Sequence, residues 1–98
     1  MANSRDKRQL EREVESYLVR RVEEMGGMCP KFESVRGWPD RIVILPGGIL
    51  AWVETKRPVG GALSPAQLVV HEQLWRVGQS VYVARSQEEV DVLLERLT

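Results

Sequence analysis

Apolar side chains recur every three or four positions between Leu10 and Met25, and this spacing places them along one stripe of a helix. The residues between them are largely charged and would face water. Two glycines at 26–27 follow at the position of a helix C-cap, and Asn3 or Ser4 is suited to cap the amino end. The chain is therefore predicted to open with a long helix, whose apolar stripe consists of Leu10, Val14, Leu18, Val22 and Met25.

The next stretch alternates between apolar runs and turn residues, which is typical of short strands. Residues 28–32 form a candidate strand, but Pro30 restricts it to an edge or irregular strand because proline has no backbone N–H. Two apolar, β-branched runs follow at 41–45 and 49–53, separated by Pro-Gly-Gly at 46–48. These two runs predict a β-hairpin.

The second half of the chain carries two helix start signals on either side of one more strand. Ser64 as N-cap, Pro65 at the first helical position and Gln67 placed to close a capping box begin one helix. Residues 80–84 alternate enough for a strand, and a second Ser-x-x-Glu pattern begins a helical stripe over 86–97. The predicted order is α-β-β-β-α-β-α, which favours an α/β (α+β) fold with one mixed sheet flanked by helices.

The composition limits the architecture and the setting. A chain of 98 residues, 43% of them hydrophobic, suffices for a single domain over 1–98 and hardly for two. The 14 basic and 14 acidic residues balance, so any attraction to phosphate depends on local charge. Cys29 is the single cysteine, the amino end lacks the apolar stretch of a signal peptide, and no apolar run approaches the ~20 residues of a membrane helix. We expect a soluble protein in a reducing, cytoplasmic setting.

Two carboxylates and one lysine converge if the hairpin loop comprises residues 46–48. Antiparallel pairing then places Asp40 opposite Glu54, with Cβ atoms ~5 Å apart. Because side chains alternate along a strand, Lys56 lies on the same face as Glu54, whereas Thr55 points to the opposite face. A two-residue loop would shift the register by one and separate the trio.

Such a trio is suited to phosphodiester hydrolysis, which needs a cation to neutralise developing charge and a positioned, activated water. Carboxylate oxygens are hard ligands that suit Mg²⁺ or Mn²⁺. Lys56 beside the water or the scissile phosphate would favour proton loss or stabilise the transition state, and it need not be a general base. A salt bridge between strand ends would give the same short pattern, so the spacing alone leaves a purely structural explanation open.

Longer motifs around the trio carry a resemblance to a known family. Gly-Trp-Pro-Asp at 37–40, the Pro-Gly-Gly turn and Val-Glu-Thr-Lys at 53–56 occur in order. On these motifs the chain resembles stand-alone domains of the virus-type replication-repair nuclease family, VRR-NUC, within the PD-(D/E)XK superfamily. The resemblance covers nearly the whole chain and implies a restriction-endonuclease-like fold. It extends to segments 63–67, 74–78 and 81–83.

The resemblance implies roles for the central residues. Asp40 and Glu54 are expected to bind Mg²⁺ or Mn²⁺, the backbone carbonyl of Thr55 can add a ligand, and Lys56 is expected to be catalytic. Gln67 would approach the active site in addition to closing its capping box, which is by itself a sufficient structural reason for a glutamine there.

The family also places a glutamate of the first helix at the site. We choose Glu15, on the edge of the buried stripe, and Glu11 one turn earlier is the alternative. Each also has an ordinary explanation as a solvated helix carboxylate. His71 has no second ligand nearby in the sequence, so we assign it a structural or surface role; Cys29 has no activating base and is assigned to the core.

A basic rim around the trio is a candidate surface for nucleic acid, although ordinary surface solvation is the alternative. Trp38 is a bulky aromatic residue where the family commonly has a smaller one, which leaves the shape of its loop in question; we expect it to be exposed enough to stack on bases. The predicted contacts are Arg36, Arg41, Arg57 and Trp38.

The resemblance implies a metal-dependent DNA endonuclease. A small domain has little surface for a long duplex, so we expect a homodimer that cuts branched DNA such as four-way (Holliday) junctions. A phage or prophage origin and the cytoplasm of a bacterial host fit the resemblance. The alternatives are a non-catalytic nucleic-acid-binding module with the same fold and a small protein-interaction domain.

Overall fold

The computed structural model describes residues 7–33 and 35–98; the predicted helix caps Asn3 and Ser4 lie outside these ranges. Within the described part of the chain, no helix combines the length and the apolar character needed to span a membrane. The elements are α1 (Lys7–Glu24), β1 (Arg41–Leu45), β2 (Ile49–Thr55), α2 (Pro65–Arg76), β3 (Val81–Ala84) and α3 (Gln87–Leu97).

The three strands form one mixed sheet in the order β1-β2-β3, with β1 and β2 antiparallel and β2 and β3 parallel. Leu45 pairs with Ile49, so the hairpin loop comprises residues 46–48, whose two glycines adopt φ angles of 92° and 78°. The predicted hairpin is confirmed, and its loop has the three residues that the convergence of the trio requires. Continuing this register by one step brings Asp40 level with Glu54.

Helices cover both faces of the sheet. Side chains alternate along β2, so Val53 and Glu54 point to opposite faces. Val53 belongs to the main core with α1 and α3, whereas Glu54 contacts α2. The predicted stripe of α1 is buried at its centre, and the core includes Val14, Leu18, Val22, Val43, Val53, Val90 and Leu94. The mixed sheet flanked by helices is confirmed.

The first of the four predicted strands does not form a continuous strand. Residues 28–32 run alongside β1 and make two isolated bridges, Met28 with Ile44 and Lys31 with Arg41. Pro30 lies between the two bridges and cannot donate a backbone hydrogen bond, although its carbonyl accepts one from Ile42. The observed order is therefore α-β-β-α-β-α, with this segment as an irregular edge.

The two predicted capping boxes differ. At α2 the Ser64 hydroxyl accepts from the Gln67 N–H (3.1 Å), and Gln67 Oε1 accepts from the Ser64 N–H (2.8 Å), as predicted. At α3 the Ser86 hydroxyl accepts from the Glu89 N–H, but Glu89 Oε1 accepts from the N–H of Arg85 instead of Ser86. The second box therefore forms only in half, because Glu89 satisfies a backbone donor one residue earlier.

Candidate active site

Asp40 lies directly before β1 and is anchored by Thr55 at the end of β2. The backbone N–H of Thr55 donates to Asp40 Oδ1 (3.2 Å), and the Thr55 hydroxyl donates to Oδ2 (3.1 Å). Burial raises the pKa of Asp40 above its usual range; the bonds from Thr55 oppose this shift and the charge of Glu15 adds to it. The prediction placed Thr55 on the opposite face. Asp40 reaches it because Asp40 precedes the paired residues of β1, where strand alternation no longer fixes its side chain.

Glu54 is a buried carboxylate, only 5% exposed, on the face of β2 that α2 covers. Burial raises the pKa of Glu54 to about 8, with the nearby charge of Asp40 adding to the shift and that of Lys56 opposing it. Lys56 Nζ lies 3.9 Å from Glu54 Oε2, and the lysine side chain is itself mostly buried. The structure thus brings together the trio that the hairpin register predicted.

Gln67 serves both the helix cap and the trio. While its Oε1 closes the capping box with Ser64, its Nε2 donates to Glu54 Oε2 at 3.1 Å. The amide therefore uses its acceptor on the helix and its donor on the carboxylate. The two roles considered from the sequence are compatible, because they use different atoms of one side chain.

His71 also faces Glu54, and sequence reasoning left it out of the site. It is 7% exposed, and its Nε2 lies 3.9 Å from Glu54 Oε1. Burial lowers the pKa of His71, and the positive charge of Lys56 lowers it further, so both effects favour the neutral imidazole. The available signal was its spacing: His71 follows Gln67 by four residues, which places both on one side of α2.

The first helix places two glutamates near the trio, and each acts on a different carboxylate of the site. Glu15 accepts a hydrogen bond from Arg41 Nε at 2.9 Å, and both side chains are 18% exposed. The charge of Glu15 acts on Asp40, whereas the charge of Glu11 acts on Glu54. The structure therefore places both residues within electrostatic range of the site, and the choice between them stays a prediction.

The predicted basic rim is only partly free. Arg41 is held inside the fold, because its Nη1 also donates to the carbonyl of Cys29 at 2.8 Å. Arg57 donates to the carbonyls of Val59 (3.0 Å) and Gly60 (2.9 Å), and these bonds stabilise the loop that follows β2. Arg36 is exposed. Contact with nucleic acid stays a prediction for all three arginines.

Trp38 is half-buried, in contrast to the predicted exposure. Its ring centroid lies 5.2 Å from that of Trp52 and 5.6 Å from that of Phe32, and these last two rings are 5.3 Å apart. Trp52 is also tied by its Nε1, which donates to Gln79 at 3.1 Å. Trp38 therefore belongs to a three-ring cluster, and such packing gives a structural reason for a bulky residue in this loop.

The donor set suits a small divalent cation. Asp40 and Glu54 lie close enough for the charge of Asp40 to raise the pKa of Glu54, and a cation held by both would relieve this repulsion. Among the described residues, no cluster of three or more His, Cys, Asp or Glu side chains is placed to hold a metal ion. Few protein ligands are typical of Mg²⁺, which usually keeps several waters. The residues present therefore fit Mg²⁺ or Mn²⁺, and the Thr55 carbonyl as a further ligand stays a prediction.

Comparisons with known proteins find similarity over most of the chain. The chain is 42% identical over 82 residues to Putative nuclease p44 of Acyrthosiphon pisum secondary endosymbiont phage 1, covering 82% of this chain and 87% of that protein. It also superposes on a solved VRR_NUC domain with a TM-score of 0.79 and 37% identity, covering 87% of this chain and 94% of that one. A scan against protein-family models finds no match.

Proposed function

Because the chain belongs to the VRR-NUC family of nucleases, we propose that it is a DNA endonuclease that hydrolyses phosphodiester bonds with the help of Mg²⁺ or Mn²⁺. One observation carries the proposal: the buried carboxylate of Glu54 lies beside Asp40 and 3.9 Å from the ammonium group of Lys56. A stabilising salt bridge alone would not explain why a second, half-buried carboxylate lies close enough to repel the first.

In this proposal Asp40, Glu54 and the carbonyl of Thr55 hold the cation. When bound, the cation would neutralise charge on the scissile phosphate and help an attacking water lose its proton. The protein contributes orientation: Thr55 fixes both oxygens of Asp40, and Gln67 fixes Oε2 of Glu54. Ligands that are held in place before the substrate arrives need no reorganisation during the reaction.

Lys56 supplies a positive charge at the same place. Its ammonium group lies near Glu54 in a mostly buried position, where electrostatic interactions are stronger than in water. From there it would donate to a phosphate oxygen and stabilise the extra negative charge of the transition state. Since Lys56 acts as a charged donor, it need not remove a proton.

We further propose branched DNA as the substrate and a homodimer as the active form. The net charge is zero, so the chain has no overall attraction to duplex DNA and must rely on a local surface. Two copies related by a two-fold axis would present two sites to the paired strands of a junction. The nuclease from a phage supports an origin in a phage or prophage and a place in the cytoplasm of its bacterial host.

The test is cleavage of labelled duplex, flap and four-way-junction DNA with Mg²⁺, Mn²⁺ or EDTA. We expect metal-dependent cutting, most efficient on the junction, and a loss of at least about 100-fold in Asp40→Asn and Lys56→Ala. Arg96→Ala, an exposed change in the last turn of α3, is the control and should cut like the wild type.

A folded protein that binds junction DNA but cuts nothing would replace the proposal with the non-catalytic binding module. Cutting that survives both substitutions would show that the active site lies elsewhere.

A further inference from the structure

The two oxygens of Glu54 have different surroundings. Oε2 accepts a hydrogen bond from Gln67 Nε2 and lies 3.9 Å from Lys56 Nζ. Oε1 is buried and has no hydrogen-bond partner among the described residues. Because a buried carboxylate oxygen without a partner is costly, and solvent does not reach Oε1, this oxygen needs a donor from the protein or a bound cation.

His71 Nε2 is the second buried polar atom at this place that lacks a partner among the described residues. It too is buried and without a hydrogen-bond partner in the described part of the chain, and it lies 3.9 Å from Glu54 Oε1. The two atoms, His71 Nε2 and Glu54 Oε1, need to come only ~1 Å closer to reach hydrogen-bonding distance. One small rotation of either side chain would therefore satisfy both atoms.

Space filling does not explain a histidine at this position. If His71 only filled the gap between α2 and the sheet, a leucine of similar size would do so without burying an unpaired nitrogen. Its place one helical turn after Gln67 points instead to a shared task, because residues four apart on a helix lie side by side.

We propose that His71 is a positioning residue of this nuclease site: as the Nε2–H tautomer it donates to Glu54 Oε1, while Gln67 holds Oε2. The two donors, both from α2, then fix the plane of the carboxylate that binds the cation. The inference rests on the proposed function for its effect on metal binding, but the hydrogen bond itself does not depend on catalysis. Partners of metal ligands commonly contribute 10–100-fold to metal affinity or activity.

The hydrogen bond can be tested directly, since His71 is the single histidine of the chain and its imidazole signals need no assignment by mutagenesis. Nitrogen-correlated NMR would be recorded with saturating Mg²⁺, and without metal at pH 9, above the pKa of about 8 for Glu54. We expect the Nε2–H tautomer, a slowly exchanging Nε2 proton, and an upfield shift of that proton in Glu54→Gln. An Nδ1–H tautomer, or an Nε2 proton whose chemical shift does not change in Glu54→Gln, would overturn the inference.

Variants then test positioning against simple packing. His71→Gln keeps a donor, whereas His71→Leu keeps the volume and removes it; Gln73→Leu, exposed on the same helix, is the control. We expect His71→Leu to raise the Mn²⁺ concentration for half-maximal cleavage about 10–100-fold, with most of the loss recovered in His71→Gln. Thermal melts establish that each variant is folded.

Two outcomes would contradict the positioning role. Unchanged metal dependence in His71→Leu would show that Glu54 needs no help from His71. Equal losses in both variants, in step with their melting temperatures, would show that His71 only packs. If the wild type cuts no DNA, the proposed function fails, and the NMR result still decides whether His71 holds Glu54.

Discussion

Glu54 shows at the scale of one residue how function is set against stability. The carboxylate is 5% exposed and has the charge of Asp40 nearby, so both burial and repulsion oppose its ionisation. Folding the metal-free chain around a charged Glu54 is therefore unfavourable. A bound cation would remove this cost, which couples metal binding to folding.

Replacing Glu54 by glutamine should stabilise the metal-free protein, and by more as the pH rises. The pKa of Glu54 is raised to about 8 from an ordinary value of 4.5, so the folded state holds a proton that the unfolded state has released. Wild-type stability is therefore lost as the pH rises from about 4.5 to 8. In EDTA at pH 8 we expect Glu54→Gln to melt about 4–8 °C higher, equivalent to roughly 1 kcal/mol, with a smaller difference at pH 5.

Glu95→Gln is the matched control, because the same chemical change is made at an exposed position of α3. A gain in melting temperature that is equal at pH 5 and pH 8, or that Glu95→Gln shares, would contradict the account of Glu54. Adding Mg²⁺ should favour the wild type over Glu54→Gln.

At the scale of one element, α2 connects a helix cap to the active site. Ser64 and Gln67 form the capping box, and the same Gln67 side chain then reaches Glu54. The hydrogen bond to Glu54 thereby fixes the position of the helix start relative to β2. Gly37 adds a second connection, because a Cβ at this position would lie 2.7 Å from the carbonyl oxygen of Ala66 in the first turn of α2. The loop that carries Asp40 therefore packs closely on the helix that carries Gln67.

The cap and the site can be separated by two substitutions in α2. Ser64→Ala removes the cap but leaves the donor on Glu54, so it should cost about 1 kcal/mol of stability and leave cleavage nearly unchanged. Gln67→Glu keeps a capping-box acceptor but places a carboxylate oxygen against Glu54 Oε2, so it should lower cleavage about 10–100-fold with little loss of helix capping. Melting curves and metal-dependent cleavage, measured on both variants, provide the check.

The reverse pattern, with activity lost in Ser64→Ala and kept in Gln67→Glu, would mean that α2 supports the site only through its stability.

At the scale of the whole molecule, the protein exposes apolar surface on α2 that a partner could cover. The radius of gyration is 13.4 Å, and large apolar side chains are exposed along the outer side of α2 and just after it. Exposed apolar groups gathered on one element are typical of an interaction surface. They include Leu68, Val69, Trp75 and Val77.

The homodimer is tested by mass in solution. A single chain has a mass of 11.2 kDa, so sedimentation equilibrium at the concentrations used for cleavage should give about twice this value. The wild type should also cut the two opposed strands of a four-way junction within the lifetime of one complex. A mass of one chain under conditions in which junctions are cut would contradict the dimer.

The sequence was most informative where structure depends on near neighbours. The stripe of α1, the Ser64–Gln67 capping box and the three-residue hairpin loop follow from helical periodicity, side-chain chemistry and the backbone freedom of glycine. The hairpin register in turn placed Asp40 beside Glu54, so the centre of the candidate site was predictable. The strand predicted at 28–32 was reduced to two bridges, because pairing at an edge depends on the partner strand.

Only the tertiary structure decided which side chains from distant elements meet at the site. The sequence by itself determined the hairpin and the helix that carry Glu54 and Gln67, because each depends on residues a few positions apart. The packing of α2 on the sheet places His71 next to Glu54. The packing of α1 places Glu15 where Arg41 donates to it, so Arg41 is held inside the fold and not at the surface. These contacts join residues 17 and 26 positions apart in sequence, and local patterns do not specify how two elements pack.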